Sequence, residues 1–418
     1  MGGQGESGSM RCEVVITGMG VLAANGIGVE KFWRSLLAAE SGIAPLRHFD
    51  ASDLPVRIGG EVKHFHAADY LPDGAPVRRQ ARHTQLALAA AAMALRDAAI
   101  SREELPCFDR VPVAMGVATS AIDVIEETFH RKVQGGVRRV LPTALPASMP
   151  NMVNACIIEL FGIRGMSITL STGCAAGLDA IGDLARRIAG GEADIGIAGG
   201  CDAPLTPMAM ASFCRSNLLS RRNDDPAGAS RPFDADRDGG VLAEGAGVVV
   251  LERREHALAR GLRPIVRVAG FGTSGVNGDQ KRAGFEASMR MAMQDAGFSP
   301  FSVDWICAHG PSDPLLDLLE TEAIKTVFGP RAHAIPVTSI KGCTGNPLAA
   351  AGPLSVVAAA RAMAERRVPP TANLATPGAG CDLDYVPGRS RAHEARRVLV
   401  NVHGLGNVSS TLALEIAE

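Results

Sequence analysis

Apolar residues along this chain fall into two alternating patterns. Short continuous runs bounded by glycine and polar residues read as buried strands at 12–18, 111–117, 166–170, 193–199 and 247–252, and again at 265–270, 303–308, 335–340, 397–402 and 411–415. Between them, apolar residues spaced by three and four predict helices at 29–39, 81–99, beyond Ser120, at 150–160, from Ala175 to Gly190, and at 256–261, 285–296, 313–327 and 347–364. Strand follows helix from end to end, which predicts an α/β layered fold. Asp313-Pro314 and Asn346-Pro347 each set an N-cap residue before a proline suited to the first helical position. The second half repeats the rhythm of the first.

Composition narrows the class. At 418 residues, with 46% hydrophobic and 21% charged, the chain is long enough for two core-bearing halves. A net charge of -2 gives no general attraction to nucleic acid or to an anionic membrane, and no apolar run reaches the length of a bilayer span. The Gly/Ser-rich start, 1–11, reads as a flexible tail without signal-peptide character, so a cytoplasmic protein is expected. Nine cysteines without CxxC pairs predict reduced thiols and no structural zinc.

One stretch carries chemistry. Ser171-Thr172-Gly173-Cys174-Ala175-Ala176-Gly177 closes the 166–170 strand and opens a helix with Leu178, Ile181, Ala185 and Ile188 on one face. A cysteine at such a turn lies beside unsatisfied N–H groups and the positive end of the helix dipole, which favours thiolate over thiol. Two other strings are decoys. Gly18-Met19-Gly20-Val21-Leu22-Ala23 matches a dinucleotide fingerprint, but Asn25-Gly26 interrupts the helix that would have to meet a pyrophosphate. Asp234-Ala235-Asp236-Arg237-Asp238-Gly239 opens like a calcium loop, yet its twelfth position is Gly245 instead of a bidentate Glu, so it reads as a structural turn.

Taken together, Val14-Val15-Ile16-Thr17-Gly18-Met19-Gly20, Met149-Pro150-Asn151-Met152, the Cys174 element, Ala229-Ser230-Arg231-Pro232-Phe233-Asp234 through Glu244-Gly245, His309-Gly310 and Lys341 to Gly345 carry a resemblance. The chain resembles a thiolase-fold ketosynthase, of the beta-ketoacyl-acyl-carrier-protein synthase II type and its relatives in type II polyketide pathways. The resemblance implies two similar α/β halves in a five-layered α-β-α-β-α arrangement: 12–258 with the nucleophile and 259–418 with His309 and Asn346. It implies Cys174 as acyl acceptor, His309 and Lys341 as its catalytic partners, Glu320 as a charge partner, and the N–H groups of Cys174 and Leu405 as oxyanion hole. It implies a phosphopantetheine-bound substrate with no further cofactor and no metal. An acyl or peptidyl carrier protein and a second copy of the chain are the implied partners. Arg131, Lys132, Arg138, Arg139, Arg221 and Arg222 are candidates for docking an acidic carrier.

Departures from that family shape the expected reaction. Asn346 stands where a second histidine is usual, giving Cys174, His309 and Asn346 as the triad; asparagine donates a hydrogen bond but carries no proton near neutrality. An N-cap role before Pro347 would by itself account for that asparagine. Pro311 and Asp313 replace two hydroxyl residues of the substrate arm, and His403 and Leu405 stand at the usually aromatic tunnel gate. Two reactions are open: decarboxylative Claisen condensation with a malonyl extender, or ring closure or acyl transfer without extension. Cys174 argues against a non-catalytic, chain-length-factor-like partner, and Leu405 with His403 at the gate argues against a thiolase.

Overall fold

The computed structural model describes residues 12–417 apart from 73, 74, 76, 78, 79 and 109; the predicted tail, 1–11, lies outside the described residues. Ten strands form the frame: β1 (Val14–Ala23), β2 (Val113–Gly116), β3 (Ser167–Leu170), β4 (Ile195–Asp202), β5 (Gly245–Arg253), β6 (Val266–Gly275), β7 (Trp305–Cys307), β8 (Val337–Thr338), β9 (Arg397–Gly404) and β10 (Val408–Ile416). They run in the order β8-β7-β9-β10-β6-β1-β5-β4-β2-β3. Read outward from the β6/β1 junction, both sides have the same plan: two antiparallel pairings and then two parallel ones. Short pairing of Val14 with Val268 and of Val15 with Arg267 joins the two sides.

The longer helices are α1 (Val29–Leu37), α2 (Arg82–Asp97), α3 (Ile122–Gly135), α4 (Met152–Phe161), α5 (Ala176–Ala189), α6 (Pro207–Arg215), α7 (Lys281–Ala296), α8 (Pro314–Phe328) and α9 (Ala351–Glu365). Helices α5 and α9 pack on each other and on strands of both sides, forming a middle layer. Most residues of α9 are buried, because this helix has protein around nearly its whole circumference. Helix α2 covers β1 and β5 on one outer face, and α7 covers β6 and β10 on the other. The result is the five-layered thiolase-like α/β fold, with strands β4 and β5 apolar on both faces because helices cover both.

Two sequence features acquire a packing role here. A Cβ at Gly18 would meet the Ala94 carbonyl oxygen at 2.1 Å, and one at Gly20 would meet that of Ala90 at 1.9 Å. The dinucleotide-like string is therefore the strip where the alanine-rich α2 lies directly on β1, which continues to Ala23 instead of stopping at Gly18. Asp234, head of the calcium-like string, accepts the backbone N–H groups of Asp236, Ala375 and Thr376 and pairs with Arg231. That carboxylate ties a turn to the far half.

The helix expected from an Asn346 N-cap is corrected. Asn346 bridges to the 241–243 segment through its backbone, its N–H donating to Val241 and its carbonyl accepting from Ala243. With the backbone held in that bridge, α9 starts only at Ala351 and the Asn346 side chain caps nothing. Asp313 does cap α8, accepting from the N–H groups of Leu315 and Leu316. Helix α6 was not expected. Thr206-Pro207 is its cap and first residue, the same signal as Asp313-Pro314.

Candidate active site

The parallel strands β3, β7 and β8 and the end of β9 deliver their following residues to one cleft between the halves. Such ends of strands are where α/β sheets carry sites. A cavity of about 220 Å³ opens there, lined by Cys174, His309, Asn346 and His403 and walled by apolar side chains including Phe213 and Leu316. Pro311, Asp313 and Leu405, expected at the tunnel and gate, also line it.

Cys174 lies in a single 3-10 turn, Gly173–Ala175, between β3 and α5, and is buried. Gly173 has φ 65°, and a Cβ there would stand 2.8 Å from the Leu405 carbonyl oxygen. The Gly404-Leu405-Gly406 loop therefore lies on the cysteine turn, with the Leu405 N–H near enough to Cys174 to act on its thiol. Asn346 approaches from the other half, with Nδ2 3.8 Å from Sγ. Its Oδ1 is buried without a hydrogen-bond partner among the described residues.

Burial pushes the Cys174 thiol up from its ordinary value, against the pull of Lys341, the Asn346 amide and the Leu405 N–H; the Asp202 carboxylate adds to the rise. The thiolate expected from the helix terminus is thus outweighed by desolvation, and the resting cysteine is a thiol. Asp202 itself is occupied by the N–H groups of Ala118, Thr119 and Ala349, and burial raises it to about 6.

A fully buried polar network faces the thiol from the second half. Glu320 accepts the backbone N–H groups of His309 at 2.9 Å and Gly310 at 2.8 Å, and the Asn401 amide at 3.2 Å. Lys341 donates to the His309 carbonyl oxygen and stands 3.3 Å from His309 Nδ1. With lysine as the donor, Nδ1 accepts and the ring proton sits on Nε2. Burial, then Lys341 and His403, hold His309 well below its usual range, so it is neutral. The expected Glu320–Lys341 charge pair takes a different form: the carboxylate grips the His309 and Gly310 backbone and acts on Lys341 only through space.

Sequence reasoning placed His403 only as a gate residue. In the structure it is a second buried imidazole, its ring centroid 6.2 Å from that of His309 and 5.0 Å from Phe285, on which it stacks. The signal was available: Asn401 and His403, two apart on an otherwise apolar strand, point to one face. The proposed basic residues separate. Arg221 and Arg222 follow Leu218 and Leu219 of the cavity wall after the intervening Ser220. Arg131 and Lys132 lie on α3, with Arg138 and Arg139 just beyond it, among exposed Phe129, Val133 and Val137.

Comparison with known proteins matches this architecture along its length. Residues 11–257 fit the family model of the beta-ketoacyl synthase N-terminal domain, and residues 267–375 that of the C-terminal domain. A 3-oxoacyl-[acyl-carrier-protein] synthase 2 of Coxiella burnetii is 39% identical over 406 residues, 96% of this chain and 98% of that protein. The ishigamide ketosynthase/chain length factor superposes with a TM-score of 0.91 at 30% identity, covering 98% of this chain and all of that one. A type II polyketide ketosynthase, solved with its acyl-carrier protein and bound to the hexaketide, gives a TM-score of 0.89 at 31% identity, over 98% of this chain and 100% of that chain. With a buried cysteine on a strand-to-helix turn, two halves of one plan and matches covering both, the chain belongs to the beta-ketoacyl synthase family.

Proposed function

We propose that the protein is a condensing ketosynthase in which Cys174 accepts an acyl chain from phosphopantetheine and His309 with Asn346 manages the extender. The observation that carries this reading is the meeting of Cys174 Sγ and Asn346 Nδ2, brought to 3.8 Å from opposite halves of the chain, with the Gly404-Leu405-Gly406 loop lying on the cysteine turn. The half 12–258 supplies the nucleophile and 259–418 the hydrogen-bonding partners.

In the first step Sγ attacks the thioester carbonyl carbon. The oxyanion is held by the N–H groups of Cys174 and Leu405, and the pantetheine sulfur leaves with the proton released by the thiol. In the second, the malonyl group loses carbon dioxide and its electron pair moves to the thioester oxygen. His309 Nε2–H and Asn346 Nδ2–H donate to that enolate oxygen, so neither needs to change protonation state. The enolate carbon attacks the acyl carbonyl, the carbon–sulfur bond to Cys174 breaks, and the released thiolate takes a proton from water. Lys341 fixes the His309 tautomer, and Glu320 fixes the backbone that carries the ring. The acyl group travels covalently, so no further cofactor enters.

A carrier protein is the donor, and Arg221 and Arg222 beside the cavity wall suit its acidic surface. The exposed stripe Ile125, Phe129 and Val133, continued by Val137 and Leu145, suits a second ketosynthase subunit. No described helix is long and apolar enough to cross a membrane, and the reading places the enzyme in the cytoplasm. A second reaction, ring closure without an extender, is favoured by the replacement of aromatic bulk at the gate by Leu405, which stands half exposed at the cavity. Intact-protein mass spectrometry with an acyl-pantetheine thioester tests the reading: wild type gains one acyl mass, and Cys174→Ala gains none. Acylation of Cys174→Ala would place the nucleophile elsewhere.

A further inference from the structure

The reaction as derived leaves a buried polar group of the cavity without a task. His403 is buried and lines the same cavity as Cys174. Its ring is held on both sides, stacked on Phe285 and edge-on to His309. Ser409 Oγ lies 2.9 Å from Nδ1, and that hydroxyl has no other hydrogen-bond partner among the described residues. A buried hydroxyl with one partner spends its proton on it. Nδ1 is therefore the acceptor, and the ring's own hydrogen is on Nε2. Burial and the charge of Lys281 keep the ring neutral, holding it down to about 4.

His403 thus offers one fixed N–H donor, with no protein acceptor for it among the described residues, in a largely apolar wall. Its place relative to the acyl group follows from the chain. Leu405, which packs on Gly173 beside Cys174, is two residues further along, just past the same strand end. A chain attached to Sγ leaves its carbonyl within reach of this wall. A saturated chain would bury the Nε2–H against methylene groups, which costs the desolvation of an unpaired donor. An oxygen close to the thioester would pair with it.

We propose that His403 is a specificity-determining residue that selects acyl chains bearing a carbonyl oxygen one methylene beyond the thioester, the 3-oxoacyl class, over saturated chains of the same length. This rests on Cys174 as acyl acceptor. The test compares the rates at which acetoacetyl- and butyryl-pantetheine thioesters load Cys174, read by intact mass, in wild type, His403→Phe and His403→Gln. Phenylalanine keeps the aromatic packing and removes the donor; glutamine keeps a donor.

The ratio of acetoacetyl to butyryl loading is expected to fall about ten-fold or more in His403→Phe, which also corrects for the different reactivity of the two thioesters, and to be partly restored in His403→Gln. Ser409→Ala, which frees the tautomer, is expected to lower the ratio by a few-fold and serves if His403→Phe does not fold. An unchanged ratio in His403→Phe overturns the proposal. So does loss of malonyl decarboxylation with the ratio unchanged, since the imidazole would then serve the extender. If neither thioester loads wild type, the reading of Cys174 fails and the proposal with it.

Discussion

The two halves of the molecule build equivalent strand-to-helix connections in opposite styles. By position in the sheet β3 corresponds to β8, and α5 to α9. In the first half the connection is short: β3 ends at Leu170, one 3-10 turn presents Cys174, and α5 begins at Ala176. In the second, β8 ends at Thr338, Lys341 sits in a short helical turn, Asn346 in a bridge, and α9 begins only at Ala351. One connection offers a single reactive atom among small apolar residues. The other is long enough to deliver two side chains at different depths and is tied to His309 and Gly310 by buried hydrogen bonds from Lys341 and Ser339. On the proposed reading the nucleophile is locally replaceable, whereas the groups that handle hydrogen bonds are part of what holds their half together.

The most drastic way to break that contrast is to compare Cys174→Ala with Glu320→Ala. Cys174→Ala is expected to abolish acylation while changing unfolding free energy by less than about 1 kcal/mol. Glu320→Ala strands three buried N–H donors and is expected to cost about 3 kcal/mol in denaturant unfolding. Equal costs would erase the difference between the halves. Next, Lys341→Met removes the donor that sets the His309 tautomer, and extender decarboxylation is expected to fall about 100-fold; an unchanged rate would mean that His309 needs no fixed tautomer. Asn346→His restores an imidazole opposite the thiol and is expected to raise malonyl decarboxylation several-fold. No rise would show that the extender does not reach that position.

The smallest effect is on stability against pH. His403 is held at about 4 in the folded protein and titrates near 6.5 when unfolded. Between those values the unfolded chain binds the extra proton, so this residue's contribution is full above pH 6.5 and is lost as pH falls toward 4. Asp202, raised to about 6, works in the opposite sense: its protonated form is favoured by folding, and stability from it declines as pH rises from about 4 to 6. Unfolding curves of wild type and His403→Phe isolate the imidazole. The variant is expected to lose less stability on acidification.

Periodicity made the layered fold legible, because strands covered on both faces are continuous apolar runs and the helices carry caps. Where local signals competed with distant partners, it failed. Asn346-Pro347 has the composition of a cap, but the backbone of 346 is claimed by Val241 and Ala243, residues about a hundred positions away. Gly18 and Gly20 look like a phosphate loop, and only the position of α2 shows that they are there to admit alanine carbonyls. The cysteine turn was legible, yet its ionisation was not, since the desolvation that keeps Cys174 a thiol comes from both halves closing over it. His403 was placed only at a gate; the donor role proposed for it depends on Ser409, which the hairpin of β9 and β10 brings opposite it.

The measurement that bears most directly on the central claim is a single turnover. Wild-type protein is loaded with an acyl chain at Cys174, mixed with carbon-13-labelled malonyl carrier protein, and both protein and carrier are weighed. The account predicts that Cys174 returns to its free mass, that labelled carbon dioxide is released, and that the carrier bears the chain lengthened by two labelled carbons. Discharge of Cys174 with a product of unchanged length and no labelled carbon dioxide would contradict it.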